Sequence, residues 1–131
     1  MKVVYVEPGK LAVVKEIGNE LKDMQEAVGG YIEAIYPFDE PVAIVLDEEG
    51  KLNGAMPNRA ILSEEDEEIV DIIFGPFFIC GTDDEEGEFI SLTDAQAERY
   101  RKMYEYPEAF YKMFGEISMY RYRPMEEEEN E

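Results

Sequence analysis

The chain has 131 residues, 45% of them hydrophobic, and its 32 acidic side chains outnumber 12 basic ones for a formal charge of -20. That length suits one domain of roughly 100 to 150 residues, while the charge far exceeds the magnitude of about 2 to 8 that keeps a small domain soluble. So acidic a chain argues against direct contact with nucleic acid or an anionic membrane, both of which need a basic footprint, and favours a basic or metal-bearing partner.

Val3 to Val6 is a β-branched and aromatic run ended by Pro8-Gly9, and Leu11 to Ile17 is a second. The tight link between them predicts an opening β-hairpin. Asn19 offers a helix cap, Leu21, Met24 and Val28 recur at helical spacing, and Gly29-Gly30 stops the pattern, so a short helix is expected over about 20–28. Gly29-Gly30 lacks the spacing and the following lysine of a phosphate loop, which leaves the helix stop as the better reading.

Tyr31 to Tyr36 and Val42 to Leu46 read as strands around a loop bracketed by Pro37 and Pro41. Asp47-Glu48-Glu49-Gly50 suits a hairpin turn, with Lys51-Leu52 opening a return strand. The following segment, Asn53 to Arg59, reads as an irregular polar loop. Its Asn53, Asn58 and Arg59 are either a ligand-recognition patch or an ordinary turn.

From Ala60 to Glu98 there is no lysine, arginine or histidine. Within that stretch Ile69 to Cys80 is expected to be a buried core strand. It is flanked by Glu64, Glu65, Asp66, Glu67 and Glu68 before it and Asp83, Asp84, Glu85, Glu86 and Glu88 after it. The second run has hard oxygen ligands around Gly87, but not the alternating spacing of a calcium loop, so a solvated turn is expected and no metal or cofactor is assigned. Cys80, the only cysteine, has no basic neighbour to activate it and reads as a small buried hydrophobe.

Thr93 and Gln96 have capping-box spacing, which predicts a helix from Asp94 to about Tyr104 with Arg99, Arg101 and Lys102 toward its C-terminal end. Pro107 then opens a second short helix carrying Phe110, Met113 and Phe114, ended by Gly115. Ile117 to Tyr122 is expected as a last strand, and 124–131 as a disordered acidic tail. The aromatic residues of this C-terminal third are read as core, as a base-stacking surface opposed by the surrounding carboxylates, or as a surface for a protein partner or a homodimer.

Several segments together resemble a family of small uncharacterised domains carried on bacteriophages, plasmids and conjugative elements, mainly of Gram-positive bacteria. They are Val6 to Lys10, Gly29 to Glu33, Glu49 to Gly54 with Asn58-Arg59, Asp71 to Ile73 leading into Gly75 to Gly81, and Ser91 to Asp94. The resemblance covers about residues 2–105. It implies a counter-defence role and supplies no catalytic residues.

The expected fold is a single α+β domain over residues 1–123, mostly antiparallel sheet, with a short helix after the N-terminal hairpin and a helical C-terminal segment. Without histidine or a second cysteine, neither the usual triads nor a His-bearing metal site can be assembled, so no enzyme is expected. Glu7 comes too early for a signal-peptide core, and no apolar run approaches the ~20 residues of a membrane helix, so a cytoplasmic protein is expected.

The acidic runs support one functional expectation. A surface of carboxylates held by the core is expected to mimic DNA and occupy the cleft of a basic or DNA-binding host protein. The alternatives are acidic loops that serve only solubility, an adaptor acting through the aromatic C-terminal third, and a small-ligand binder acting through the 53–59 loop.

Overall fold

The computed structural model describes residues 1–83 and 85–125. In chain order the elements are β1 (Lys2–Val6), β2 (Val13–Glu16), α1 (Leu21–Val28), β3 (Ile32–Ile35), β4 (Val42–Asp47), β5 (Pro57–Leu62), β6 (Ile69–Phe74), β7 (Phe77–Thr82), β8 (Phe89–Ile90), α2 (Asp94–Met103), β9 (Glu108–Met113) and β10 (Glu116–Arg121). All the strand pairings are antiparallel. With two helices beside them, the architecture is α+β.

The main sheet has the order β2-β1-β7-β4-β3, with β8 added to β7. β7 is its centre, holding β1 through pairs such as Tyr5↔Phe78 and β4 through pairs such as Ile44↔Ile79. Successive side chains of a strand point to opposite faces, and here both faces are buried. Phe77 and Ile79 join Val4, Val6, Val42 and Ile44 on one face, under Tyr100 and Tyr104 at the end of α2 and under Ile61 and Ile73 of the β5–β6 hairpin. Phe78 and Cys80 join Val3, Ala43 and Val45 on the other, under Met24 and Val28 of α1. This double burial is why Phe77-Phe78-Ile79-Cys80 reads as an unbroken apolar run with no polar alternation.

The opening hairpin and α1 fall where the sequence predicts. α1 is too short to persist alone in water, so its stability comes from packing Met24 and Val28 on the sheet. Fully burying one such side chain contributes about 1.5–3 kcal/mol. The start of α1 is a correction. Glu20, not Asn19, is the N-cap residue, and Asp23 reaches back to accept the Glu20 amide at 3.2 Å. The helix ends as expected, at Gly29 in the left-handed conformation (φ 84°), with its amide bonded to the Gln25 carbonyl.

Three expectations in the middle of the chain fail. Lys51-Leu52 is not a return strand: both edges of β4 are already taken, by β3 and β7, and residues 48–54 form turns. The irregular segment expected through Arg59 stops at Met56, because Pro57–Leu62 is strand β5. Ile69 to Cys80 is not one strand but two. The chain breaks at Gly75 (φ 85°) and Pro76, leaving β6 paired with β5 in a separate two-stranded sheet. Only the β7 half is wholly core, since Val70 of β6 is 63% exposed.

α2 and its capping box are as expected, with the Gln96 amide donating to Thr93 Oγ1 at 3.1 Å and the Thr93 amide to Gln96 Oε1 at 3.0 Å. The helix expected after Pro107 is replaced by the β9–β10 hairpin. Phe114 (φ 53°) and Gly115 (φ 82°) are both left-handed, which is the geometry of a two-residue hairpin turn whose twist matches that of its strands. Phe114 is 96% exposed at this tip, so the spacing of Phe110, Met113 and Phe114 marks no core-facing helix. The last strand is present, as β10. Most of the tail expected to be disordered, 126–131, lies outside the described residues.

Candidate acidic interface

The two acidic runs are turns at the ends of β6 and β7 that lie away from the Gly75-Pro76 corner. In the first, between β5 and β6, the Ser63 amide donates to the Glu68 carbonyl at 2.9 Å and the Glu67 amide to the Ser63 carbonyl at 3.1 Å. Asp66 is spent on the turn itself. It accepts the Ser63 hydroxyl and the Glu68 amide, and those bonds hold its carboxyl below the usual range, the Ser63 contact having the larger effect. Glu64, Glu65, Glu67 and Glu68 are exposed. Glu67 sits at φ 57°, a left-handed conformation unusual for a side chain other than glycine or asparagine.

The second turn joins β7 to β8. The Asp83 amide donates to the Glu88 carbonyl at 2.7 Å, the Gly87 amide to the Asp83 carbonyl at 2.7 Å, and the Glu85 amide to the Asp83 carboxylate at 2.9 Å. Glu85, Glu86 and Glu88 are exposed, and Asp84 lies outside the described residues. Backbone ladders therefore fix the position of both turns.

Among the described residues, no cation reaches either turn. Lys2 pairs with Asp94, Lys10 with Glu7, Lys51 with Asp71 and Arg99 with Glu40, while Arg101 and Lys102 pair with Glu98 and Arg121 with Glu108. The carboxylates of both turns are thus left without a counter-charge from this set. Nor do any three His, Cys, Asp or Glu side chains among the described residues gather as a metal-binding group.

Asn53, Asn58 and Arg59 do not share one loop: Asn53 lies in the turn after β4, and Asn58 and Arg59 lie on β5. Asn53 braces the turn after β4 by donating to Asp47 Oδ2 at 3.0 Å. Asn58 and Arg59 are fully buried on β5. The Asn58 amide group donates to the carbonyls of Val6 (3.0 Å) and Gly75 (2.8 Å), tying the main sheet to the Gly75-Pro76 corner. Arg59 donates from Nε and Nη2 to the Tyr104 carbonyl at 3.1 and 3.0 Å, from Nη2 to the Lys10 carbonyl at 2.7 Å, and from Nη1 to Asn58 Oδ1 at 2.9 Å. Burial lowers the Arg59 pKa to about 10, so it stays charged at neutral pH.

Glu108 completes this buried network and was not legible in the sequence. Its side chain is 2% exposed, with Oε1 accepting the Ala60 amide at 2.7 Å and Oε2 facing Arg121 Nε at 3.3 Å. Burial pushes its carboxyl up, against the opposing pull of the Ala60 amide and of Arg121 and Arg59. Cys80 is buried as well, its thiol pushed up to about 12 by desolvation, which fits a packing role.

Residues 1–105 match the family model described as Domain of unknown function (DUF3846). The chain belongs to this family. No curated protein and no solved structure matches it. The DUF3846 match runs from β1 through α2 and includes both acidic turns, while the β9–β10 hairpin lies beyond it. That hairpin docks onto the DUF3846 region through Glu108, which takes the Ala60 amide of β5. No helix of the described residues is long and apolar enough to cross a membrane.

Proposed function

We propose that this chain is a non-catalytic binding protein of a bacteriophage or other mobile element, acting in the cytoplasm of a Gram-positive host. It presents carboxylates in place of DNA phosphates to the basic cleft of a host DNA-binding defence or regulatory protein. The observation that supports this reading most is that the 63–68 and 83–88 turns are held by backbone hydrogen bonds while their exposed carboxylates meet no cation among the described residues. A pre-positioned, unneutralised array gains attraction to a basic cleft without first breaking internal ion pairs or ordering a loop. No bond is made or broken in such an act, so the absence of histidine is no obstacle.

The test is competition with DNA. A panel of purified restriction endonucleases and transcription regulators is loaded with a fluorescent duplex and titrated with the protein at increasing salt. Release of the duplex from at least one target, weakening as salt rises, is the expected result. Replacing Glu64, Glu65, Glu67 and Glu68 together by Gln should abolish release while the circular dichroism spectrum is unchanged. Equal competition by that variant would sink the reading.

A second reading, an adaptor or homodimer working through the C-terminal hairpin, is favoured by the exposure of Tyr111, Met113, Phe114, Ile117 and Tyr120 there. Concentrated exposed apolar side chains are a mark of partner surfaces. Native mass measurement of the parent and of a Phe114→Ser, Ile117→Ser variant bears on it. An unchanged monomer for both would remove the homodimer.

A further inference from the structure

Beside the first acidic turn, the β5 edge, the end of α2 and the C-terminal hairpin enclose a cavity of about 370 Å³. Phe38, Leu62 and Met103 contribute apolar walls. Glu108 is a buried lining residue and Glu64 and Glu67 are exposed ones, so three carboxylates share the lining with one guanidinium, that of Arg121, which pairs with Glu108, and the charge of the buried Arg59 also acts on Glu108. The volume is within the range of about 300–1,000 Å³ usual for sites that take a small group.

The buried carboxylate is incompletely matched. Arg121 meets it through Nε alone, at 3.3 Å, and the Arg121 side chain is itself 48% exposed. A strong guanidinium–carboxylate pair uses two parallel N–H bonds at about 2.7–2.9 Å. Glu108 therefore keeps acceptor capacity at a buried position, where a charge is costly unless paired. The raised carboxyl of Glu108 agrees with that geometry.

We propose that this cavity receives one arginine side chain of the protein partner, its guanidinium among Glu64, Glu67 and Glu108 and its methylenes against Leu62 and Met103. The inference rests on the charge-presenting reading above and gives it a specific anchor. Arginine fits better than lysine on three grounds. Its planar fork engages more than one carboxylate, its charge is weakly hydrated and so less costly to bury, and its face stacks on an aromatic ring such as Phe38. A DNA-binding cleft is rich in such side chains, so an arginine that otherwise holds a phosphate is the natural occupant.

The test is an NMR titration of the full chain with N-acetyl-arginine amide, its lysine counterpart and its neutral citrulline counterpart. Saturable shifts at Ala60, Leu62 and Met103, with arginine bound at least about tenfold more tightly than citrulline, are expected. Glu108→Gln, which can still accept the Ala60 amide, should lose most of that preference. Met103→Trp, at a half-exposed helix end, should block the cavity without changing any charge. Equal binding of arginine and citrulline, shifts confined to other surfaces, or unaltered binding by Met103→Trp would each overturn the proposal. The two readings separate in the DNA-release assay. If Met103→Trp releases DNA as well as the parent, the anchor is wrong and charge presentation stands. If the parent releases no DNA yet binds arginine here, charge mimicry falls and the anchor stands.

Discussion

Arg59 holds the carbonyl of Tyr104 with two N–H groups, Nε at 3.1 Å and Nη2 at 3.0 Å, and so ties β5 to the C-terminal end of α2 from a fully buried position. The guanidinium fork spreads its donors over three carbonyl acceptors: Tyr104, Lys10 and the Asn58 side chain. Arg59→Met should therefore destabilise the fold by roughly 3 kcal/mol or more, because those buried acceptors lose their partner. Arg59→Lys should recover little of this, since an ammonium cannot reproduce the fork. Chemical denaturation of the two variants measures both effects, and a change below about 1 kcal/mol for Arg59→Met would refute the role assigned to it.

Glu40 anchors the β3–β4 loop to α2 by accepting bonds from the Tyr100 hydroxyl, Gln96 and Arg99. The Tyr100 bond has the largest effect in holding the Glu40 carboxyl below its usual range, and burial pushes the Tyr100 hydroxyl up to about 12. A carboxylate depressed in the folded state contributes stability above its unfolded pKa, and that contribution is lost as pH falls through the folded value. Tyr100→Phe should thus cost about 1 kcal/mol near neutral pH, a figure discounted because Glu40 is partly solvated. The cost should shrink toward about pH 2. Unfolding curves at both pH values decide it, and a cost that grows on acidification would contradict the assignment.

Glu67 is one of two residues other than glycine with positive φ among those described. The left-handed conformation costs a residue with a Cβ about 1–2 kcal/mol. Glu67→Gly should raise stability by up to about 1 kcal/mol, the gain being trimmed by the larger entropy of the unfolded glycine chain. If the acidic turn works as proposed, the same change weakens DNA release. Thermal unfolding and the competition assay together separate strain from charge, and a destabilised Glu67→Gly protein would show that the strain argument is wrong.

Cys80, fully buried on β7 with its thiol pushed up to about 12, should not react with thiol reagents in the native protein. Labelling should follow the rate of unfolding and become fast only in denaturant. Cys80→Ala should be mild, whereas Cys80→Ser should cost about 1–3 kcal/mol by burying a hydroxyl with no assigned acceptor. Rapid labelling of the folded chain would disprove the packing role.

Features written within a few neighbouring residues were determined by the sequence alone. Two β-branched runs and a short link produce the β1–β2 hairpin, the spacing of Leu21, Met24 and Val28 ending at Gly29 produces α1, and Thr93 with Gln96 caps α2. The acidic turns also belong here, because the length of the apolar runs between them forces charged residues to strand ends. Tertiary structure decided what depends on residues far apart. Asn58 and Arg59 look like turn residues until partners up to 52 positions away bury them. Phe110, Met113 and Phe114 fit a helix as well as a strand, and the β9–β10 pairing chose the strand. Glu108, the deepest carboxylate of the proposed anchor, carries no local signal, because its place is set by the Ala60 amide 48 residues before it. Short-range periodicity and capping chemistry specify elements, whereas the pairing of buried polar groups is satisfied only once those elements have met.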